Sequence, residues 1–306
     1  MSLPDRVGVL GGGTMGAGIA HAFLLAGASV VVVERDEESA GVAKARVTRM
    51  IEQSIERGAE REVERGAERG AVRDVERGAD LRLDEIARRL AASADVGSFG
   101  ECGLVIEAVP EDFGLKAAAL RRIEEVVTGG ATIASNTSSI SIDTLAGALE
   151  RPERFLGMHF FNPVPASALV EIVLGSRTDD DAGNRAREWT TAIGKVPVTV
   201  RDSPGFVSSR LGVLLGIEAI RMLEEGVASA EDIDIAMTLG YKHPIGPLRL
   251  TDLVGLDVRL GIAEYLYEQL GERFRPPELL KQMVADGRLG RKSGRGFYDW
   301  NGEVPS

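Results

Sequence analysis

The first two thirds of the chain alternate short apolar runs with longer amphipathic stretches. Val30–Val33 is a continuous β-branched run, which is typical of a strand buried on both faces of a parallel sheet. Six further runs also predict strands: Arg6–Leu10, Leu104–Ala108, Thr132–Ser135, Phe155–Phe160, Leu169–Val173 and Val196–Val200. Because helical spacing fills the stretches between them, the pattern predicts an α/β fold with a doubly wound sheet.

The pattern changes after Pro204 and Gly205, where nearly all apolar spacing becomes helical. Ser229 followed by Asp232 resembles a capping box for a helix through Met237. Two further helical runs follow, Leu256–Leu270 and Pro277–Ala285. We therefore expect a sheet domain over residues 1–200 and an all-α domain over residues 201–306.

Residues 36–92 show no strand pattern and predict a protruding helical arm folded as a hairpin. Within it, Arg61–Glu68 is echoed by Arg73–Asp80. Glutamate and arginine four residues apart support an exposed helix by about 0.2–0.5 kcal/mol per pair. Four glycines between residues 58 and 78 each oppose it by about 1 kcal/mol. A solvated arm is favoured over an anion- or partner-binding arm, because the acidic residues nearly cancel the arginines.

Composition narrows the class of protein. The 36 basic and 47 acidic residues give a formal charge of −11, which argues against nucleic acid or an anionic membrane as partner. A single cysteine and three histidines leave no basis for a disulfide framework or a metal site. No apolar run reaches the length of a membrane span, and the first residues lead straight into a strand. We expect a soluble, cytoplasmic protein.

A glycine motif follows the first strand. Gly11-Gly12-Gly13-Thr14-Met15-Gly16 has the spacing G-x-G-x-x-G. Gly11 permits a tight turn, Gly13 lets the backbone approach a pyrophosphate, and Gly16 lets helix and strand pack closely. The first helical residues, Thr14 and Met15, present N–H groups to the phosphates. The motif alone also fits an ordinary glycine-rich turn, but its place between a strand and a helix favours a dinucleotide site.

The second strand supplies the expected acidic partner of that motif. Glu34 lies 18 positions after Gly16, at the end of the Val30–Val33 run. A carboxylate there can accept hydrogen bonds from both adenosine ribose hydroxyls, and it repels a 2′-phosphate. We therefore predict NAD rather than NADP as the cofactor, although the neighbouring Arg35 argues the other way.

His159 is the candidate catalytic base. It lies at the carboxyl end of a predicted strand, where ligands bind in open α/β sheets. Glu171 lies on the next predicted strand and can orient the imidazole as the partner of a general base. A single histidine is more often structural, but His21 is expected to pack in the first helix and His243 has no evident partner.

Met158–Pro165, followed by Leu169-Val170-Glu171, resembles the signature of the L-3-hydroxyacyl-CoA dehydrogenase family. Six other segments resemble that family in the same order: Gly11–Gly16, Ile106–Glu111, Ser135–Ser139, Asp202–Phe206, Gly246–Asp257 and Gly290–Tyr298. The resemblance implies a Rossmann-type domain followed by a helical domain for substrate binding and dimerisation. It also implies NAD-dependent oxidation of a short 3-hydroxyacyl thioester, such as an acyl-CoA, by a homodimer.

The resemblance also suggests roles for individual residues. His159 resembles the catalytic base and Glu171 its orienting partner. Ser138 and Asn162 resemble the polar groups around the reacting carbon and the nicotinamide, with Ser138 as a further contact of the substrate oxygen. Three more positions resemble cofactor contacts of the family: Glu111, Lys116 and Lys292.

Two features depart from the family pattern and concern the substrate. Ser209 stands where the family usually has an asparagine whose amide helps to hold the substrate oxygen. The serine by which relatives contact coenzyme A falls at Met50, so Arg57 is the one plausible basic contact there. These departures leave open a hydroxyacyl group carried by a protein, or a free hydroxy acid. A non-catalytic NAD-binding protein is a further, less favoured alternative.

Overall fold

The computed structural model describes residues 3–64 and 82–300, with the side chains of residues 58–64 left out. Contacts divide the chain into two compact units, Met1–Asp202 and Ser203–Ser306. The first is built on a parallel sheet with flanking helices, and the second is helical. The predicted fold class is therefore confirmed.

The first unit contains an eight-stranded sheet. Its strands are β1 Arg6–Leu10, β2 Ser29–Val33, β3 Leu90–Ser93, β4 Leu104–Glu107, β5 Thr132–Ser135, β6 Phe155–Phe160, β7 Leu169–Leu174 and β8 Val196–Arg201. Their order in the sheet is β3-β2-β1-β4-β5-β6-β7-β8, and all neighbours are parallel except β6 and β7. The six strands from β3 to β6 have the order of a dinucleotide-binding doubly wound sheet. All seven predicted strands form, with ends within one residue of the prediction.

Five α-helices of the first unit are α1 Thr14–Leu25, α2 Glu37–Glu64, α4 Phe113–Val126, α5 Ile142–Ala146 and α6 Asp180–Ala192. A further helical segment, α3, covers residues 82–88. The core lies between the sheet and these helices, and it includes Val9, Phe23, Val32 and Ile106. The β-branched run of β2 is therefore buried as its sequence predicts.

The stretch at 36–92 differs from the prediction in one respect. Leu90–Ser93 forms the edge strand β3, paired in parallel with β2, where no strand was expected. The sequence Leu-Ala-Ala-Ser carries little β-propensity, so the pairing with β2 determines its conformation. The first part of α2 is also packed, because Ala43, Val47 and Ile51 are buried against the core. Most of the repeat between residues 61 and 80 lies outside the described residues.

The second unit contains the helices α7 Ser208–Glu224, α8 Ala230–Ile235, α9 Pro247–Val254, α10 Leu256–Leu270 and α11 Glu278–Ala285. Helices α7 and α10 pack through Val213, Ile217, Ala263 and Leu266. A π-helical turn at Ala236–Gly240 continues α8 beyond the predicted end. No helix within residues 3–64 and 82–300 has the length and apolar composition needed to cross a membrane.

The predicted capping box at the start of α8 is half formed. The N–H of Asp232 donates to the Ser229 hydroxyl oxygen at 3.1 Å, which is the expected N-cap bond. The Asp232 carboxylate accepts from the Ser229 hydroxyl at 2.7 Å. The reciprocal bond to the backbone of Ser229 is replaced by this one, because aspartate is one methylene shorter than the usual glutamate.

Candidate functional site

Four loops of the first unit meet at one edge of the sheet. Strands β1, β4, β5 and β6 are mutually parallel, so their carboxyl ends lie at the same edge. We call this the carboxyl edge: residues 11–16 after β1, 107–116 from the last residue of β4 onward, 136–139 after β5, and 159–162 at the end of β6. Ligands of doubly wound sheets bind at such an edge.

The glycine motif forms a tight turn between β1 and α1. Gly11 has a φ of +96°, and a Cβ on it would lie 2.9 Å from the Ala108 carbonyl oxygen. A Cβ on Gly16 would overlap the Gly11 carbonyl oxygen. Gly13 is the N-cap of α1, and a Cβ there would meet nothing within 4 Å. The turn therefore fits a dinucleotide, because it is tight where the protein packs and open at the helix N-terminus, with Thr14 and Met15 in its first turn.

Glu34 closes the turn from the side of β2. Its Oε1 accepts the Gly12 N–H at 2.7 Å, and its Oε2 accepts the Arg35 N–H at 3.3 Å. Arg46 of α2 donates to the Gly12 carbonyl oxygen at 2.6 Å. The Arg35 guanidinium forms an exposed ion pair with Asp36 at 3.1 Å. Glu34 thus lies against the glycine turn, and the arginine that argued for NADP is held by a carboxylate.

A buried ion pair lies at the end of β4. Glu107 and Lys116 are 0% and 1% exposed, and the Lys116 ammonium donates to Glu107 Oε1 at 2.8 Å. Lys116 also donates to the Val109 carbonyl oxygen at 3.0 Å, and the Ser135 hydroxyl donates to Glu107 Oε2 at 2.6 Å. The pair therefore fixes the loop after β4 and joins it to β5.

Glu111 extends this network to the next loop. Its Oε2 lies 3.4 Å from the Lys116 ammonium. Its Oε1 accepts the Thr137 hydroxyl at 2.6 Å and the N–H groups of Ser138 and Ser139 at 3.0 and 3.1 Å. Burial opposes the ionised form of Glu111, but the charge of Lys116 and these hydrogen bonds outweigh it and lower its pKa. Glu111 is therefore ionised at neutral pH and holds Ser138 in place.

His159 and Glu171 are direct neighbours on the antiparallel strands β6 and β7. The distance from His159 Nδ1 to Glu171 Oε2 is 2.8 Å, and the two residues are 6% and 1% exposed. The Phe161 ring lies against the imidazole, with centroids 4.5 Å apart. A carboxylate at Nδ1 fixes the ring and the tautomer, so that Nε2 is the nitrogen able to take a substrate proton.

Asn162 follows β6 and begins a loop that is held by hydrogen bonds from Lys195. The Lys195 ammonium donates to the carbonyl oxygens of Val164 and Ser167 at 2.6 and 2.5 Å. Asn136 supports the other side, because its Oδ1 accepts the Phe160 N–H at 2.9 Å, next to His159. These contacts position the loop that carries Asn162.

Three predicted site residues are not part of the carboxyl edge. Arg57 is exposed on α2, where its Nε donates to the Gln53 carbonyl oxygen. Ser209 lies in the first turn of α7, in the second unit. Lys292 also belongs to the second unit and forms an ion pair with Asp257, at 2.6 Å to Oδ2.

Sequence reasoning missed several residues that build the edge. Glu107, Asn136, Lys195 and Arg46 carry no periodic signal, and each acts by contacts across the chain. Glu107 and Asn136 lie inside motifs that already pointed to this edge, which is the signal that could have found them. Within residues 3–64 and 82–300, the structure contains no cluster of three or more metal-ligating side chains.

The fold and the carboxyl edge together define a dinucleotide-binding α/β protein with a histidine–carboxylate pair. Residues 6–203 match the model of the NAD binding domain of 3-hydroxyacyl-CoA dehydrogenase, and residues 205–300 match its C-terminal domain. The chain belongs to the 3-hydroxyacyl-CoA dehydrogenase family.

Individual relatives match this chain in sequence over almost their whole length. A 3-hydroxybutyryl-CoA dehydrogenase of Mycobacterium tuberculosis is 42% identical over 299 residues, covering 97% of this chain and 98% of the relative. The mitochondrial hydroxyacyl-coenzyme A dehydrogenase of Rattus norvegicus is 37% identical, with coverage of 97% and 92%. The crystal structure of (S)-3-hydroxybutyryl-CoA dehydrogenase from Ralstonia eutropha has a TM-score of 0.86 at 38% identity, covering 97% of this chain and 99% of that chain.

Proposed function

We propose that this protein is an NAD-dependent dehydrogenase of short 3-hydroxyacyl-CoA thioesters. The observation that carries the proposal is the buried His159–Glu171 pair, which lies at the same edge of the sheet as a dinucleotide-type glycine turn. Family membership and the names of the relatives support the choice of a 3-hydroxyacyl-CoA over other alcohols.

The cofactor would be held by the first unit. The helix N-terminus at Gly13, Thr14 and Met15 would bind the pyrophosphate, and Glu34 would accept the ribose hydroxyls. Bound NAD supplies the acceptor for the hydride that leaves carbon 3. Glu111 and Lys116 would act on the nicotinamide side. Glu111 holds the Thr137–Ser139 turn, and the Lys116 ammonium lies 3.4 Å from Glu111 Oε2. Lys292, on the second unit, stays a predicted cofactor contact.

His159 would move the proton of the reaction. Its Nε2 takes the proton from the 3-hydroxyl as the carbon–oxygen double bond of the 3-ketoacyl thioester forms, and in reverse the imidazolium returns it. Glu171 holds the ring and stabilises its charged form. Ser138 would bind the substrate oxygen, and Asn162 would help to orient the nicotinamide beside it.

The second unit would bind the acyl thioester and a second copy of the chain. Ser209 would lie against the acyl group, with a hydroxyl where the family usually has an amide. Arg57 would contact the coenzyme A moiety from α2. The cytoplasmic location and the homodimer stay predictions from the sequence.

A substrate panel tests the proposal. We expect NADH to form when the purified protein is given NAD and (S)-3-hydroxybutyryl-CoA, and the rate with NADP to be much lower because of Glu34. Turnover of a carrier-protein thioester or of free 3-hydroxybutyrate, with none of the CoA thioester, would contradict it. NAD binding with no turnover of any hydroxyacyl substrate would favour the non-catalytic alternative.

A further inference from the structure

Helix α2 contacts the glycine turn through a residue that the proposed function does not use. Arg46 Nη1 donates to the Gly12 carbonyl oxygen at 2.6 Å. Ala43, three residues earlier on α2, lies so close that a Cβ on Gly12 would overlap its side chain. Residues three apart share one face of a helix, so this face of α2 packs on Gly12 and brings the guanidinium to its carbonyl group.

The bond from Arg46 fixes the direction of the next N–H group. The Gly12 carbonyl and the Gly13 N–H belong to one peptide unit, which is trans, because the cis peptide of the described residues is Asn162–Pro163. In a planar trans peptide the C=O and N–H bonds point in opposite directions. Since Arg46 holds the carbonyl towards α2, the Gly13 N–H points away from α2.

The Gly13 N–H is a donor without a protein acceptor. No group within residues 3–64 and 82–300 accepts it. Gly12 is buried, whereas Gly13 is exposed, and a Cβ on Gly13 would meet nothing within 4 Å. A donor held in one direction and left free at a helix N-terminus is suited to a phosphate oxygen. The bond from the guanidinium also polarises the peptide unit, which strengthens this N–H as a donor.

Arg46 also changes the charge at the turn. The Glu34 carboxylate accepts the Gly12 N–H at 2.7 Å, so a negative charge lies beside the place proposed for the pyrophosphate, which is itself an anion. The chain as a whole carries a formal charge of −11. The Arg46 guanidinium bonds to the same residue as Glu34 and therefore offsets the carboxylate at short range.

We propose that Arg46 is a positioning residue of the cofactor site, which orients the Gly12–Gly13 peptide so that the Gly13 N–H donates to the pyrophosphate of NAD. The inference rests on the cofactor part of the proposed function. It gives α2 a part in NAD binding, in addition to the glycine turn and Glu34.

Two ligands that differ in the pyrophosphate test the inference: ADP-ribose, which contains it, and adenosine, which does not. In Arg46→Met we expect the Kd of ADP-ribose to rise about 10-fold and that of adenosine to change less than about twofold, each measured by displacement of NADH fluorescence. Arg46→Lys keeps the charge and a donor and should lose less affinity. The matched control Arg49→Met removes an equal charge from an exposed position of α2 and should bind both ligands as the wild type does.

Steady-state kinetics give a second readout. In Arg46→Met the KM for NAD should rise about as much as the Kd of ADP-ribose, because both ligands contain the pyrophosphate. The value of kcat at saturating NAD and (S)-3-hydroxybutyryl-CoA should stay at the wild-type level, because the lost contact concerns cofactor binding and leaves His159 in place.

The outcomes separate this inference from the proposed function. An unchanged Kd of ADP-ribose in Arg46→Met would overturn the role of Arg46. An equal loss for adenosine would also overturn it, because the whole turn would then be disturbed, and so would an equal effect of Arg49→Met. Absence of turnover with every CoA thioester, with ADP-ribose still bound, would overturn the proposed reaction alone. A wild-type protein that binds neither NAD nor ADP-ribose would overturn the cofactor site and this inference with it.

Discussion

The carboxyl edge of the first unit and the α7–α10 pair of the second unit each bury a cation, in different surroundings. Lys116 is 1% exposed and contacts two carboxylates and a carbonyl oxygen. Arg259 is 7% exposed, and its Nε has no partner. The difference teaches that a buried charge alone does not define its role. A cation whose partners are all protein groups fixes the fold locally, whereas the burial of Arg259 is a cost that no carboxylate of the described residues offsets.

The largest effect concerns chemistry at the carboxyl edge. His159→Gln should lower kcat by about 10²–10⁴ while NAD binding is kept, because the proposed general base is lost but the glycine turn is not. Initial rates of NADH formation and an NAD titration by fluorescence measure the two effects. Glu171→Gln should give a smaller loss, since the ring is still held. A His159→Gln variant with wild-type kcat would show that the edge does not supply the base.

The next effect is on stability at the same edge. Lys116→Met should lower the free energy of unfolding by about 3–5 kcal/mol, because Glu107 is left as an uncompensated buried charge. Urea unfolding of the variant and the wild type measures it. The double variant Glu107→Gln, Lys116→Met should recover part of the loss. A change below about 1 kcal/mol in the single variant would mean that the ion pair does not fix this loop.

His21, like Arg259, is buried without a carboxylate partner among the described residues. It is 3% exposed and hydrogen-bonded to Ser54, and burial, followed by the nearby charges of Arg57 and Lys195, lowers its pKa to about 4. Below pH 6.5 the unfolded chain binds a proton that the folded protein does not, so stability falls as the pH drops from 6.5 to 4. The loss from this group is roughly 3 kcal/mol.

The variant His21→Gln checks that pH dependence. It keeps a polar group for Ser54 but cannot titrate, so its unfolding midpoint in urea should change less between pH 6.5 and 4.5 than that of the wild type. Equal slopes for the two proteins would show that other groups cause the acid sensitivity.

The smallest effect completes the comparison of the two cations. Arg259→Met should leave the free energy of unfolding unchanged or raise it, within about 1 kcal/mol, because it removes a charge that no carboxylate of the described residues compensates. The same urea experiment that measures Lys116→Met measures this variant. A loss of several kcal/mol would show that Arg259 has a structural partner and that the contrast with Lys116 is false.

Regular features of the fold follow from local patterns, and so they could be predicted. The β2 run of valines and the helix Leu256–Leu270 are set by burial on both faces and by helical periodicity, which the sequence displays directly. Strand β3 was missed because Leu-Ala-Ala-Ser forms a strand only through its pairing with β2.

The candidate site was predictable to the extent that it lies within short segments. The contact of His159 with Glu171 follows from two adjacent strands, which a connection of a few residues brings together. The burial of Lys116 and Arg259 could not be predicted in this way. Whether each cation is buried depends on the groups that three or more segments, distant in sequence, place around it. The spacing of residues in a single sequence does not show which distant segments meet.

The bond from the Gly12 N–H to Glu34 constrains any attempt to change the cofactor of this enzyme. Replacement of Glu34 by a basic residue, or by a neutral residue without an acceptor oxygen, also removes the acceptor that closes the glycine turn. Gly12 itself cannot be enlarged in compensation, because a Cβ there would overlap Ala43 of α2. A redesign therefore has to keep an acceptor at position 34, for which glutamine is the conservative choice, and to introduce the phosphate-binding charge from another position.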